Sequence, residues 1–471
     1  MNKGKKLCAL IGPALLLLCY LFLPTTIFTT SAKLAIGTVS WMAFWWITGP
    51  VDFAVTAFLP IAVNAIFQVV DMSAVIANYA SETILLLLGA SLLTASWEET
   101  GLDRRIAAKF LSLVGSKVRM QVIVWFLLCA GLSSILPNAV VCATVTPIAV
   151  SMLRYVGEED ISKSRVGSLL LLTIVYATGV GGLITPLGGA MNLITVDYIE
   201  QLTGTEYMYV SWVIRFLPLA VVLIISNILM LLIGCKKDEE LGASKAYFIE
   251  KYKEMPAMTI AEKWSLGLFL AATALSFLRE LYQSYLPGLK PAYVFIICAI
   301  LSFFIKGPEG RNLITWKVAQ KKVVWDLLYV FAGGLAAGTM INNSGAAEMI
   351  GNIVSDSNLN GGFNTVLVII IVTVILSDVT SNTATAAVAI PIVISIIQGI
   401  GKDPIPYIYI ASIGVNLSYV LPTSIRAIPI AYGMEPKYMA KKGVPITIVV
   451  IILMSIMSYL MLTYWPAFSQ V

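Results

Sequence analysis

The sequence predicts an all-α integral membrane protein of about eleven transmembrane helices and two re-entrant helical hairpins, arranged as inverted-topology repeats. Three observations carry this expectation. Hydrophobic residues fill 58% of the 471 positions and charged residues 12%. The apolar runs repeatedly reach the roughly 20 residues that cross a bilayer as helix. The second half of the chain repeats the first in register.

In order, the apolar spans lie near 7–23, 33–48, 51–70 and 83–97, then an interrupted region at 120–153, then 166–196 and 211–233. The second series runs near 264–282, 290–305 and 324–342, an interrupted region at 363–400, then 405–434 and 444–466. The first run follows Lys3, Lys5 and Lys6 without a clean small-residue cleavage site, so it reads as a retained helix rather than a signal peptide. The expected organisation is a helix at 1–32, a first repeat at 33–234, a cytoplasmic linker at 235–263 and a second repeat at 264–471. The linker, with Lys236, Lys237, Asp238, Glu239 and Glu240, reads as a solvated connection.

With the amino terminus in the cytoplasm, the cytoplasmic segments hold 25 of the 31 Lys and Arg residues. Only Lys33, Arg279, Lys290 and Lys402 fall on the other face, and Arg215 and Arg426 lie within apolar spans. The expected location is the cell membrane, with the carboxyl terminus outside. The net charge of +5 follows from these basic loops and implies no nucleic acid. The six cysteines are scattered in apolar runs without metal-ligand spacing, and histidine is absent. Neither an enzyme nor a cofactor is expected.

A shift of 244 residues places Gly89 on Gly333, Gly101 on Gly345, Asn138 on Asn382, Pro147 on Pro391 and Ser151 on Ser395. Each half after the first helix holds an odd number of crossings, so the second copy is expected to be inverted. Loop charge agrees: 102–119 carries five Lys or Arg residues and 346–363 none. This is the architecture of an inverted-repeat secondary transporter.

Both interrupted regions are broken by polar residues. Ser133, Ser134, Pro137, Asn138 and the adjoining Ala139 mark the first; Asp378, Thr380, Ser381, Asn382 and Thr383 mark the second. They read as hairpin tips whose unpaired backbone groups face protein, ions or a water-filled cavity. A second pair of breaks follows, GGLITPLGGAMN at 181–192, with Thr185, Pro186, Gly188 and Gly189, and SYVLPTSIRAIP at 418–429, with Pro422, Thr423, Ser424 and Arg426. Tips and breaks converging near mid-membrane would favour an anionic substrate. Arg426 within a crossing demands an anionic partner, a substrate carboxylate held in bidentate fashion being preferred, with snorkelling or pairing to Asp378 as alternatives. Asp378 itself reads as a capping residue.

The Ser381-Asn382-Thr383 tip, the Asn followed nine residues later by Pro-Ile in both halves, GGLITPLG with Asn192, and Leu421-Pro422 resemble the divalent anion/sodium symporter family, the INDY-type dicarboxylate transporters. The resemblance implies an elevator-type homodimer, with a scaffold and a moving transport domain made of the hairpins and broken helices. It also implies tips that bind substrate carboxylates and sodium, the latter at Ser381, Asn382 and Thr383. This chain departs from the pattern at Pro137-Asn138-Ala139, which lacks both hydroxyls, and at Ile425-Arg426-Ala427-Ile428, which replaces Thr-Pro-Pro-Asn. The expectation is therefore sodium-independent exchange of malate, 2-oxoglutarate or succinate, without a bound metal and with Arg426 in the cation's role. The alternative is a sodium-coupled dicarboxylate, citrate or sulfate symporter of the same fold.

Overall fold

The computed structural model describes residues 3–111, 115–158, 160–233, 235–236, 239–242, 244–306, 312–354 and 359–469, and these contain helices and no strand. The chain opens with α1 (Lys3–Phe22) and α2 (Thr30–Thr48), which pack along each other. The short helices α3 (Phe53–Thr56), α4 (Leu59–Phe67) and α5 (Met72–Ala77) lead into α6 (Glu82–Thr100) and α7 (Leu102–Leu111). The first hairpin is α8 (Val118–Ser133) with α9 (Asn138–Tyr155). The first broken helix is α10 (Arg165–Gly182), a 3₁₀ turn at Pro186–Gly188 and α11 (Ala190–Thr203); α12 (Tyr209–Leu232) follows.

The linker forms α13 (Ser244–Glu254). Next come α14 (Ile260–Phe277), α15 (Arg279–Tyr282), α16 (Pro291–Phe304), α17 (Trp316–Lys322), α18 (Trp325–Asn343) and α19 (Ala346–Val354). The second hairpin is α20 (Phe363–Val379) with α21 (Asn382–Gly399). The second broken helix is α22 (Ile405–Asn416), a 3₁₀ turn at Ser424–Arg426 and α23 (Ala427–Ala431), before α24 (Pro436–Tyr464).

The two halves use the same devices. The α6–α7 junction turns at Gly101 (φ +77°) and the α18–α19 junction at Gly345 (φ +75°), the pair that the 244-residue shift superposes. Only glycine takes this left-handed conformation without strain. Packing repeats too: α8 lies on α10 as α20 lies on α22, and α12 on α8 as α24 on α20. Burial then sorts the helices. In the most apolar stretch of α10, 89% of residues are buried, against 11% in α1 and 33% in α24. The first broken helix is therefore central, and the long helices that follow the broken ones are peripheral.

Among the described residues, seven helices are long and apolar enough to cross a membrane, or eight with the bent pair α17 and α18. The other expected crossings are shorter or interrupted. The 51–70 span is α3 and α4 rather than one helix, because Pro60 sits in the first turn of α4, where a missing N–H is tolerated. The 405–434 span breaks more severely than its partner, ending in the five-residue α23.

The linker is not simply solvated. The Val118 amide donates to the Glu239 carbonyl at 2.9 Å and the Leu241 amide to the Ser116 carbonyl at 2.8 Å. Phe248 is 1% exposed and meets the Trp125 ring edge-on, with centroids 5.9 Å apart. The α13 helix thus hides an aromatic against the first hairpin, which charge composition alone concealed.

Candidate substrate and ion site

A helix that breaks inside the membrane leaves both N–H and C=O groups without partners, and each needs satisfaction from elsewhere. The two halves solve this differently. In the first, the Asn192 carboxamide donates to the carbonyls of Gly182 at 2.6 Å and Thr185 at 2.9 Å. The Thr185 hydroxyl donates to the Ser134 carbonyl at 2.5 Å, and Ser133 Oγ to the Thr178 carbonyl at 2.7 Å, which ties the hairpin tip to the break. Pro137 is the N-cap of α9 and offers no side-chain cap, leaving Asn138 and Ala139 half-buried in its first turn. Gly189 adopts ordinary extended backbone and caps α11.

The carbonyls of Gly182 and Ser133 crowd the Gly188 Cα so closely that a Cβ there would lie 2.4 and 2.7 Å from their oxygens. A Cβ on Gly182 would in turn lie 3.1 Å from the Gly188 carbonyl and 3.6 Å from the Asn138 Cβ. The carbonyl oxygens of Ser133, Gly182 and Gly188 therefore lie close together without any fixed charge, with that of Gly182 already accepting from Asn192 Nδ2 and with Asn138 turning its Nδ2 toward Gly182. Uncharged carbonyl oxygens are ligands that suit a hard cation.

In the second half, Ser418 and Leu421 stand where a 236-residue shift puts Gly182 and Thr185, and Ser377 stands where the 244-residue shift puts Ser133. The donor to these carbonyls is a guanidinium. Arg426 Nε donates to Leu421 O at 2.8 Å, Nη1 to Ser418 O at 3.3 Å and to Ser418 Oγ, and Nη2 to Ser377 O at 3.2 Å and Thr423 Oγ1 at 2.5 Å. Arg426 is 2% exposed. Its five N–H groups are all taken by protein oxygens, so the expected bidentate grip on a substrate carboxylate finds no donor left in this conformation.

Asp378 answers the other polarity. Its Oδ1 accepts the amides of Val420 at 2.9 Å and Leu421 at 3.4 Å, and its own carbonyl accepts the Thr423 hydroxyl at 2.9 Å. Asp378 therefore satisfies amides of the unwound segment, while the cap of α21 is Ser381. A carboxylate and a guanidinium thus hold the same unwound segment from opposite sides, and their charges cancel.

Around them, Asn382 Oδ1 accepts from Ser377 Oγ at 3.0 Å and Ser418 Oγ at 3.1 Å, while Ser381 Oγ caps the Ala384 amide at 3.1 Å. Thr383 is buried; Pro422 and Thr423 are half-buried and Ser424 exposed. Ser424 holds φ +53°, a conformation that strains a non-glycine residue, where the 236-residue shift places Gly188. The two breaks meet through Asn416 Nδ2, which donates to Asn192 Oδ1 at 3.0 Å, and Cys142 Sγ on α9 approaches the Ile425 carbonyl at 3.8 Å.

Sequence reasoning missed Ser377, Ser418 and Asn416 as members of this network. Ser377 was accessible, since it repeats Ser133. The others act largely through main-chain carbonyls or across the repeat junction.

Paired hairpins and broken helices with polar cages at the breaks, inside an apolar helical shell, define a membrane carrier. The chain belongs to the citrate transporter (CitMHS) family, whose model matches residues 43–414. It is accordingly a multi-pass membrane transporter and not an enzyme. Curated relatives include the sodium-dependent dicarboxylate transporter SdcS of Staphylococcus aureus strain MRSA252, 27% identical over 482 residues and covering 98% of this chain and 92% of the relative. SdcS of Staphylococcus saprophyticus subsp. saprophyticus is 26% identical over 481 residues, covering 97% and 91%.

Among solved structures, the Neisseria gonorrhoeae MtrF efflux pump matches with a TM-score of 0.55 at 13% identity, over 96% of this chain and 97% of that one. The Alcanivorax borkumensis YdaH transporter matches with a TM-score of 0.50 at 10% identity, over 83% and 88%. At these identities the two structures speak for the fold alone.

Proposed function

We propose that this chain carries four- and five-carbon dicarboxylates of the malate, 2-oxoglutarate and succinate class across the membrane, with sodium as the coupling ion. The observation that carries the reading is the charge balance of the second break. Exchange through a surrogate cation requires Arg426 to be uncompensated when the carrier is empty, and the Asp378 carboxylate, bonded from α20 to the same unwound segment, offsets it. A dianion entering a site of zero net fixed charge needs mobile cations. The uncharged carbonyl oxygens of Ser133, Gly182 and Gly188 would serve one. The sodium-dependent relatives support this coupling over the sodium-independent exchange expected from the sequence.

The cage beside Ser381, Asn382 and Thr383, by contrast, already holds the Arg426 guanidinium. That occupancy favours exchange as the second reading. In either case the hairpins and broken helices form the transport domain of an elevator within a homodimer, the amino terminus cytoplasmic and the carboxyl terminus extracellular. Substrate lies between the two tips, near Asn138, Thr185, Asn382 and Thr423.

Thermal unfolding of the purified protein in detergent tests the binding step. Dicarboxylate is expected to raise the midpoint in sodium chloride and much less in choline chloride. Equal stabilisation in both salts would leave exchange as the better reading.

A further inference from the structure

Away from the tips, titratable side chains gather where α11 packs against α6 and the start of α16. The first broken helix contributes Asp197 and Glu200, with Glu206 just beyond it; α6 contributes Glu82, Lys290 is the N-cap of α16 and Arg279 opens α15. Lys290 Nζ lies 2.9 Å from Glu82, which also accepts the Tyr293 hydroxyl at 3.0 Å. Arg279 grips Glu206 with two bonds of 2.8 and 3.0 Å. Both fixed cations are therefore already paired.

Asp197 and Glu200 form no salt bridge among the described residues. Asp197 accepts the Thr83 hydroxyl of α6 at 3.1 Å and a bond from Gln201, and Glu200 accepts the Tyr207 amide at 2.8 Å. Glu82, Glu200, Glu206 and Lys290 line one small cavity between the elements. The remaining titratable neighbours, Tyr198, Tyr207 and Tyr209, are neutral phenols. Four carboxylates thus face two cations across a contact between a broken helix and helices outside the hairpins.

We propose that Asp197 and Glu200 bind protons when α11 is seated against α6 and release them when it moves away, making this seam a proton-linked latch on transport. The inference rests on the proposed division into a moving domain and a scaffold. Both groups stand on the last two turns of α11, past the apolar run that ends near 196. Burial raises Asp197 to about 6 and Glu200 to about 7. A carboxyl whose pKa is raised in the seated state binds more protons there. The seated state is therefore favoured at low pH and loses that advantage as pH rises through about 6 to 7.

The test compares dicarboxylate uptake by wild type and by the double variant Asp197→Asn, Glu200→Gln across about pH 5 to pH 8. The substrate is the same in both, so its own titration cancels. Wild-type turnover is expected to rise with pH relative to the variant, by up to about tenfold per pH unit for each proton released. The variant, which mimics permanent protonation, stays at the low-pH rate. Superposable profiles would overturn the latch.

A second readout needs no transport. Leu86→Cys, on the seam face of α6, is labelled with an impermeant maleimide at one alkaline pH, in a background with Cys8 and Cys19 changed to serine. Slower labelling with the double variant present supports the latch, and equal labelling overturns it. Absence of wild-type uptake at every pH would overturn the proposed function, and labelling would still decide the latch.

Discussion

Removing the Arg426 side chain exposes how the second cage is built. Five oxygens now accept from the guanidinium: the carbonyls of Ser377, Ser418 and Leu421 and the hydroxyls of Ser418 and Thr423. The two hydroxyls keep other partners, Asn382 and the Asp378 carbonyl. Of the three main-chain carbonyls, Leu421 keeps the Thr423 amide at 2.8 Å, and those of Ser377 and Ser418 lose the guanidinium without replacement. With each buried orphan costing about 1–3 kcal/mol, Arg426→Ala in sodium-free buffer is destabilised by about 2–6 kcal/mol.

The same change leaves Asp378 without a counter-charge beside a cluster of oxygens, which is the environment of a hard cation. Sodium should then stabilise the variant by RT ln(1 + [Na⁺]/Kd), about 1.4 kcal/mol for each tenfold excess over Kd. The assay is thermal unfolding in detergent, with sodium and choline chloride compared at equal ionic strength. The reasoning predicts a larger sodium-dependent upshift in Arg426→Ala than in wild type. An equal upshift, or none in the variant, would refute it.

Three further outcomes follow from the same geometry. Gly188→Ala places a methyl against the Gly182 and Ser133 oxygens; it should abolish sodium stimulation of uptake, measured as the sodium-to-choline rate ratio, in protein that still elutes as wild type does on size exclusion. Asp378→Asn leaves Arg426 uncompensated and should shift the carrier toward sodium-independent exchange, seen as uptake that requires internal dicarboxylate. Phe248→Ala opens a void where α13 meets Trp125 and should cost about 3–5 kcal/mol at that contact. Limited proteolysis should then cut the linker faster than in wild type.

Much of the architecture was legible because a repeat magnifies weak signals. Gly101 and Gly345 are unremarkable alone, yet their common register marks two helix-to-helix turns that the structure places with nearly equal φ. Pro186 and Pro422 likewise locate both breaks. The chemistry at those breaks was harder to read, because a carbonyl is present at every residue and carries no sequence signature. Arg426 stood out as a charge in an apolar span, but its acceptors on Ser377, Ser418 and Leu421 are main-chain atoms brought close only by unwinding. Asp378 was legible as a polar residue beside a tip, but not as the acceptor of the distant Val420 and Leu421 amides. The linker misled for the opposite reason: its charged residues advertise solvent, while Phe248 and Leu241 turn inward.

The most direct test of the account is uptake of labelled malate or 2-oxoglutarate into proteoliposomes, empty or preloaded with dicarboxylate, with and without an inward sodium gradient. Sodium-driven uptake into empty vesicles is the predicted result. Uptake that ignores sodium and appears only in preloaded vesicles would contradict it and return Arg426 to the role of a built-in cation.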